Sequence, residues 1–216
     1  MAREQVVESA PGVEMPQGRI RGRPTAVWAD WAALAAYTAA IYAFLPYGPR
    51  FGLALVRTRF GSWLLGPGIG LGVAVATVGV VFVLWRRRAP RWAYAALTVA
   101  GLSYGLALSW LRAQHLERTH LPEYGIAAWL AWRAIVPSLP AALPSYAAAA
   151  ALAAAIGLGD ELLQGITPGR VCDIRDVAMN ALGAVLGIVV IAAIRAERSP
   201  LSAGSSSRRS PRAAGS

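Results

Sequence analysis

The chain of 216 residues is 56% hydrophobic and only 15% charged, with a mean hydropathy of +0.46. A soluble domain is normally about a quarter charged, and here no acid falls between Asp30 and Glu117 or between Glu123 and Asp160. Those acid-free stretches exclude an ordinary soluble enzyme and predict several membrane spans. The formal charge of +10 does not point to nucleic acid. All 21 basic residues are Arg, clustered between apolar runs, which is how a polytopic protein sets its orientation. Arg without Lys in an Ala-rich background reads as the usage of a GC-rich bacterial genome. A single Cys172 excludes an intramolecular disulfide and a thiolate metal cage.

In chain order, residues 1–26 mix Arg3, Arg19, Arg21 and Arg23 with Glu4, Glu8 and Glu14 and have no apolar core. They read as a polar cytoplasmic tail and not a cleavable signal peptide. A transmembrane domain is expected over 27–195, with apolar stretches near 27–46, 63–85, 92–111, 121–136, 143–163 and 174–194. Most have the roughly 20 residues that a helix rising 1.5 Å per residue needs to cross the hydrocarbon core. The fourth is short, and Pro137, Pro140 and Pro144 separate it from the fifth, so it must tilt little, thin the bilayer or lean on its neighbours. Trp28, Trp31, Trp63, Trp85, Trp92 and Trp110 fall at segment ends, where indole rings favour the interface. Residues 196–216 read as a disordered basic tail. The expected fold is an all-α polytopic bundle of about six spans.

With an inside N-terminus and six spans, fourteen Arg lie on the inner side and seven on the outer, which favours both termini in the cytoplasm. The loops before span four and between spans five and six then share the outer face. Small-residue pairs at Gly68/Gly72, Gly101/Gly105 and Gly183/Gly187 allow close helix contact. The run from Gly66 to Gly72 fails the dinucleotide spacing, lacks a following strand and lies in a span, so it reads as a packing surface.

Polar residues concentrate in two places. One is His120-Leu121-Pro122-Glu123-Tyr124, opening span four. The other begins with Asp160-Glu161 and Gln164, continues through Pro168-Gly169-Arg170, and ends with Asp173, Asp176 and Asn180. An acid at the bilayer centre costs about 2.5–3.5 kcal/mol on insertion scales, so these acids must lie near the interface, be paired, or face a wet cavity. Asp173, Asp176, Asn180, Gly183 and Gly187 form one helical stripe, polar at its outer end and small further in, which predicts a face against another helix. Spans four and six both begin on the outer side, so their positive dipole ends point there beside Arg170.

The pattern Asp160-Glu161-x-x-Gln164, Pro168-Gly169-Arg170, Asp176-x-x-x-Asn180-x-x-Gly183-x-x-x-Gly187 closely resembles the signature of the VanZ-like membrane protein family. His120 and Tyr124, four residues apart at the start of a span, resemble that family's other motif. The resemblance covers about residues 28–195, and the chain departs from the family in its Pro-rich connection at 137–144. It implies an integral membrane protein associated with resistance to glycopeptide antibiotics such as teicoplanin.

Each polar residue also has a plain structural reading. Asp173 is most simply the N-cap of span six, with Asp176 in its first turn favoured by the dipole. Gln164 and Asn180 can serve as interhelical hydrogen-bond glue, and Arg170 can pair with Glu161 across the loop. His115, Glu117 and Arg118 read as a solvated loop, and Asp30 as part of the cytoplasmic interface. The Arg-rich tail most simply meets anionic lipid. His120, Glu161 and Asp176 form a conceivable nitrogen–oxygen ligand set, but no tight ligand spacing supports it and no metal is assigned from the sequence.

Two functional readings remain open. In the first, an outer pocket of His120, Glu123, Tyr124, Asp160, Glu161, Gln164, Arg170, Asp173, Asp176 and Asn180 binds an anionic lipid head group, a lipid-linked cell-wall precursor or a glycopeptide-related ligand. In the second, His120, Glu161 and Asp176 act catalytically on such a substrate. The cofactor, if any, is not specified by the sequence. Transport is disfavoured because the paired discontinuous helices of an inverted repeat are missing.

Overall fold

The computed structural model describes residues 24–110 and 119–196. The N-terminal and C-terminal tails and the loop carrying Arg112, His115, Glu117 and Arg118 therefore lie outside the described residues. Among those described there are eight α-helices, one π-helical turn and no strand. The helices are α1 (Pro24–Phe44), α2 (Gly48–Val56), α3 (Arg59–Trp63), α4 (Ile69–Arg86), α5 (Arg91–Trp110), α6 (His120–Ile135), α7 (Ala142–Ile166) and α8 (Ile174–Ile194).

The π turn, Leu64–Gly68, joins α3 to α4 without leaving helical geometry. It contains Pro67, which has no N–H to donate, and the wider turn absorbs the interruption. The helix continues to Arg86 and stops at a Schellman closure. There the Ala89 N–H donates to the Leu84 carbonyl at 2.9 Å and the Arg88 N–H to the Trp85 carbonyl at 3.0 Å. Arg88 takes the left-handed position usually held by glycine, with φ of 51°. Pro90 follows, and the chain turns back into α5.

Helix α6 is the centre of the bundle. It packs on α8, α7 and α1, and Tyr124, Ala127, Ala128, Ala131 and Ala134 along it are fully buried. Ala149 and Ala153 of α7 and Ala184 and Ile188 of α8 meet this face. Short side chains let the helices approach closely, so association rests on backbone-near contact and not on bulky interdigitation. Gly183 and Gly187 face α6 as their stripe predicts. A Cβ on Gly183 would come within 2.6 Å of the Leu121 carbonyl oxygen, and one on Gly187 within 2.8 Å of Gly125 Cα.

The other glycine pairs behave differently. Gly70, Gly72, Gly101 and Gly105 have nothing within 4 Å of an added Cβ, and Gly68 meets only Trp63 of its own turn. Gly68, Gly70 and Gly72 of that run and the Gly101/Gly105 pair therefore make no close contact with another helix among the described residues. Helix α4 buries only Leu84 and leaves Leu71, Val75, Val78, Val81 and Phe82 exposed, as suits a helix with lipid around most of its surface.

Three helices, α4, α7 and α8, are long and apolar enough to cross a membrane. A fourth crossing arises if Val27–Phe44 and Gly48–Val56, bent by 76°, count as one broken span. The six-span count is not reached on length and apolarity. Helix α5 is interrupted by Tyr94, Thr98, Ser103, Tyr104 and Ser109, and α6 has only 16 residues. Trp28, Trp31, Trp63, Trp85, Trp92 and Trp110 are all exposed.

At the end of the bundle where α1 begins and α6 and α8 finish, Arg133 pairs with Asp30 and stacks over Trp129 at 5.0 Å. Arg195 lies 4.8 Å above the Trp132 ring, and Arg87 donates to the Ile194 carbonyl at 3.3 Å. The other end carries the site.

Candidate functional site

Three chain segments build the site. His120 opens α6 and stacks on Tyr124 one turn later, with ring centroids 6.3 Å apart. Asp160, Glu161 and Gln164 occupy the last two turns of α7, and all three are buried. Between α7 and α8, Thr167-Pro168-Gly169-Arg170 forms a tight turn closed by the Arg170 N–H on the Thr167 carbonyl at 3.1 Å. Proline followed by a glycine at φ of 79° is the pairing that a type II turn requires. The turn folds Arg170 back toward α7.

Asp173 is the N-cap of α8, its carboxylate accepting from the Arg175 N–H at 2.8 Å. Asp176 lies one turn further and Asn180 the next. Because α6 and α8 begin where α7 ends, all of these side chains meet at one end of the bundle.

A chain of contacts fixes Glu161. One carboxylate oxygen accepts from Gln164 Nε2 at 2.8 Å, and the other accepts from the Asp173 backbone N–H at 3.1 Å. The Gln164 amide oxygen in turn accepts from the Arg170 guanidinium. Arg170 thus acts on Glu161 through Gln164, and the direct Arg170–Glu161 pair expected from the sequence is not formed. Tyr124 donates to Asp160 Oδ2 at 2.9 Å, and Asn180 Nδ2 donates to the Gly157 carbonyl at 3.1 Å.

Several buried polar atoms have no hydrogen-bond partner among the described residues: His120 Nδ1, Asp160 Oδ1, Asp176 Oδ1 and Asn180 Oδ1. A buried polar atom left in this state costs roughly 1–3 kcal/mol. With Arg170 Nε, which also lacks a partner among the described residues, five such atoms lie at one end of the bundle, a concentration that packing alone does not explain. His120, Glu161 and Asp176 converge closely, each offering a donor atom within 4.8 Å of the other two.

Beside these residues lies a cavity of about 570 Å³. His120, Glu123, Asp160, Gln164, Arg170, Asp173 and Asp176 line one side. Tyr124, Glu161 and Asn180 do not reach its wall: Tyr124 positions Asp160, Asn180 ties α8 to α7, and Glu161 stands behind the surface.

The opposite wall was not foreseen. It is apolar and comes from Ile41, Phe44 and Leu45 of α1 and its end, Phe51 and Leu55 of α2, and Leu65. The bend between α1 and α2 swings this wall over the polar floor. Tyr42 anchors α1 by donating to the Ile156 carbonyl at 2.7 Å, and Tyr37 does so to the Glu123 carbonyl at 3.1 Å. The sequence signal for this wall was the break Pro46-Tyr47-Gly48-Pro49 followed by a short amphipathic segment.

No curated protein and no solved structure matches the chain. Residues 74–195, from within α4 to the end of α8, match the VanZ/LLP1 family. This segment contains His120, Tyr124, the Asp160–Gln164 cluster, Arg170, Asp176 and Asn180, and it covers more than half of the sequence. The chain is a member of the VanZ/LLP1 family.

Proposed function

We propose that the protein is a multi-pass bacterial cell-membrane protein that binds an anionic lipid head group or a lipid-linked cell-envelope precursor. Helices α1 and α4 to α8 make six crossings, with α1 and α2 forming a broken entry. Both termini are cytoplasmic, following the excess of Arg on that side. The cavity then opens outward, where sequestering or altering a precursor changes the access of glycopeptide antibiotics.

The observation that carries this reading is the two-sided cavity. Phe44, Phe51 and Leu55 offer an apolar wall suited to a hydrocarbon chain, and Arg170 offers a guanidinium to a charged head. An amphiphile satisfies both walls at once. A small polar metabolite leaves the apolar wall unused. The convergence of His120, Glu161 and Asp176 supports a second reading, in which the same head group is chemically modified.

The test is lipid retention by protein purified in mild detergent, read by native mass spectrometry. Phosphatidylglycerol and a polyprenyl phosphate should be retained over phosphatidylcholine, and Arg170→Ala should remove that preference. Equal retention of anionic and zwitterionic lipid would refute the binding reading. Turnover of a lipid-linked precursor that Glu161→Gln abolishes would move the assignment to the enzyme.

A further inference from the structure

The cavity has a charge problem. Glu123, Asp160, Asp173 and Asp176 line it and Glu161 stands behind them, against a single guanidinium from Arg170. An anionic head group entering such a pocket meets more like charge than opposite charge, so the acidic side needs a cation of its own.

We propose that His120, Glu161 and Asp176 hold one divalent transition-metal ion, which converts this acidic floor into a receptor for the oxygens of an anionic head group. The convergence of donors within 4.8 Å is the first support. An ion with bonds of about 2.1 Å holds tetrahedral donors about 3.4 Å apart, so binding draws together any pair of these atoms that lies further apart. The second support is independent of the clustering. His120 Nδ1 and Asp176 Oδ1 have no hydrogen-bond partner among the described residues, and Asp176 is 9% exposed and lines the cavity.

The third is the environment of Glu161. Its two oxygens are already oriented by Gln164 Nε2 and the Asp173 N–H, yet each keeps a further lone pair for a metal. That is the outer-shell arrangement that fixes a ligating carboxylate, with Arg170 and Gln164 behind it. Asp160, held by Tyr124, keeps Oδ1 unpartnered at the same end and adds negative charge beside the ion.

One imidazole and two carboxylates form a borderline-to-hard donor set that suits zinc or manganese. Magnesium prefers oxygen donors alone and retains its waters. Three protein ligands leave a coordination position open toward the cavity, as in metal sites that bind a substrate oxygen. The anion-receptor role rests on the lipid-binding reading above, whereas the ion site stands without it.

The experiment uses full-length protein in detergent, stripped with chelator and titrated with zinc or manganese by calorimetry, with elemental analysis of the dialysed product. The expected result is one ion per chain, undisturbed by a tenfold excess of magnesium. Affinity should fall at least about tenfold in His120→Gln and in Asp176→Asn. Gel filtration and circular dichroism identify the variants that remain folded, and wild-type stoichiometry decides the matter if neither does.

Inorganic phosphate is the second probe and should bind only the ion-loaded protein. Folded wild-type protein that takes up no ion, or folded His120→Gln protein that takes it up unchanged, overturns the site and leaves the lipid reading intact. Ion uptake at one per chain without lipid preference supports the site and removes the lipid reading.

Discussion

Gly157 of α7 sits where the bundle meets its site, against α8 and α6. A Cβ added there would lie 2.6 Å from Asn180 Cβ and 3.1 Å from the Tyr124 ring. Asn180 Cβ is fixed to the α8 backbone, so it cannot rotate away, and Gly157→Ala must push α7 from α8. Overpacking of this kind costs about 1–3 kcal/mol. The same displacement strains the 3.1 Å bond from Asn180 Nδ2 to the Gly157 carbonyl, worth about 1 kcal/mol. The combined loss of about 2–4 kcal/mol should lower the midpoint of thermal unfolding in detergent by roughly 4–16 °C for a chain of this size. Gly105→Ala is the control, because nothing lies within 4 Å of its Cβ and alanine is the better helix former. The midpoint of Gly105→Ala should stay level or rise slightly. Equal midpoints for the two variants would refute the close α7–α8 approach.

Three further outcomes are expected. Asp173→Asn keeps a capping oxygen for α8 and should lower the midpoint by less than about 2 °C, while Glu161→Gln and Arg170→Ala abolish the preference for anionic lipid with the protein still in the membrane. Equal damage from all three would favour a purely structural cluster. Tyr124→Phe removes the donor to Asp160 Oδ2, leaves both oxygens of a buried carboxylate unpartnered, and should cost about 1–3 kcal/mol by the same unfolding assay. Reporter fusions at Arg91 and after Arg195 should both report a cytoplasmic location, and an external signal from either would reverse the outward-facing cavity.

The site was legible because it is local in sequence and helical in period. Asp173, Asp176, Asn180, Gly183 and Gly187 share a helix face by spacing alone, and the structure sets the two glycines against α6. The close approach that the Gly101/Gly105 spacing allows is not used among the described residues. A close-contact spacing states what a helix permits, and only a partner helix at that depth makes it a contact. The expected Arg170–Glu161 pair missed the intervening role of Gln164, since spacing cannot tell a direct ion pair from a relay through an amide. The apolar wall from Ile41 to Leu65 was hidden more deeply. Its residues resemble any lipid-facing run, and the Pro46–Pro49 break marks a bend without giving its 76° angle or its direction. That wall also lies outside the 74–195 segment that carries the family.

Helix α6, the short fourth stretch of the sequence, packs on α1, α7 and α8. At 1.5 Å per residue its 16 residues rise roughly 24 Å, whereas the 25 of α7 rise roughly 38 Å. Helices α1, α7 and α8 cover most of the short helix, while Ile126, Trp129 and Arg133 at i, i+3 and i+7 leave one exposed stripe along it. The shorter helix therefore contributes only its first turn to the cavity, through Thr119, His120 and Glu123, and α7 contributes its last two turns through Asp160 and Gln164. A ligand seated on His120 would lie between these two helix ends and would meet the turns of both.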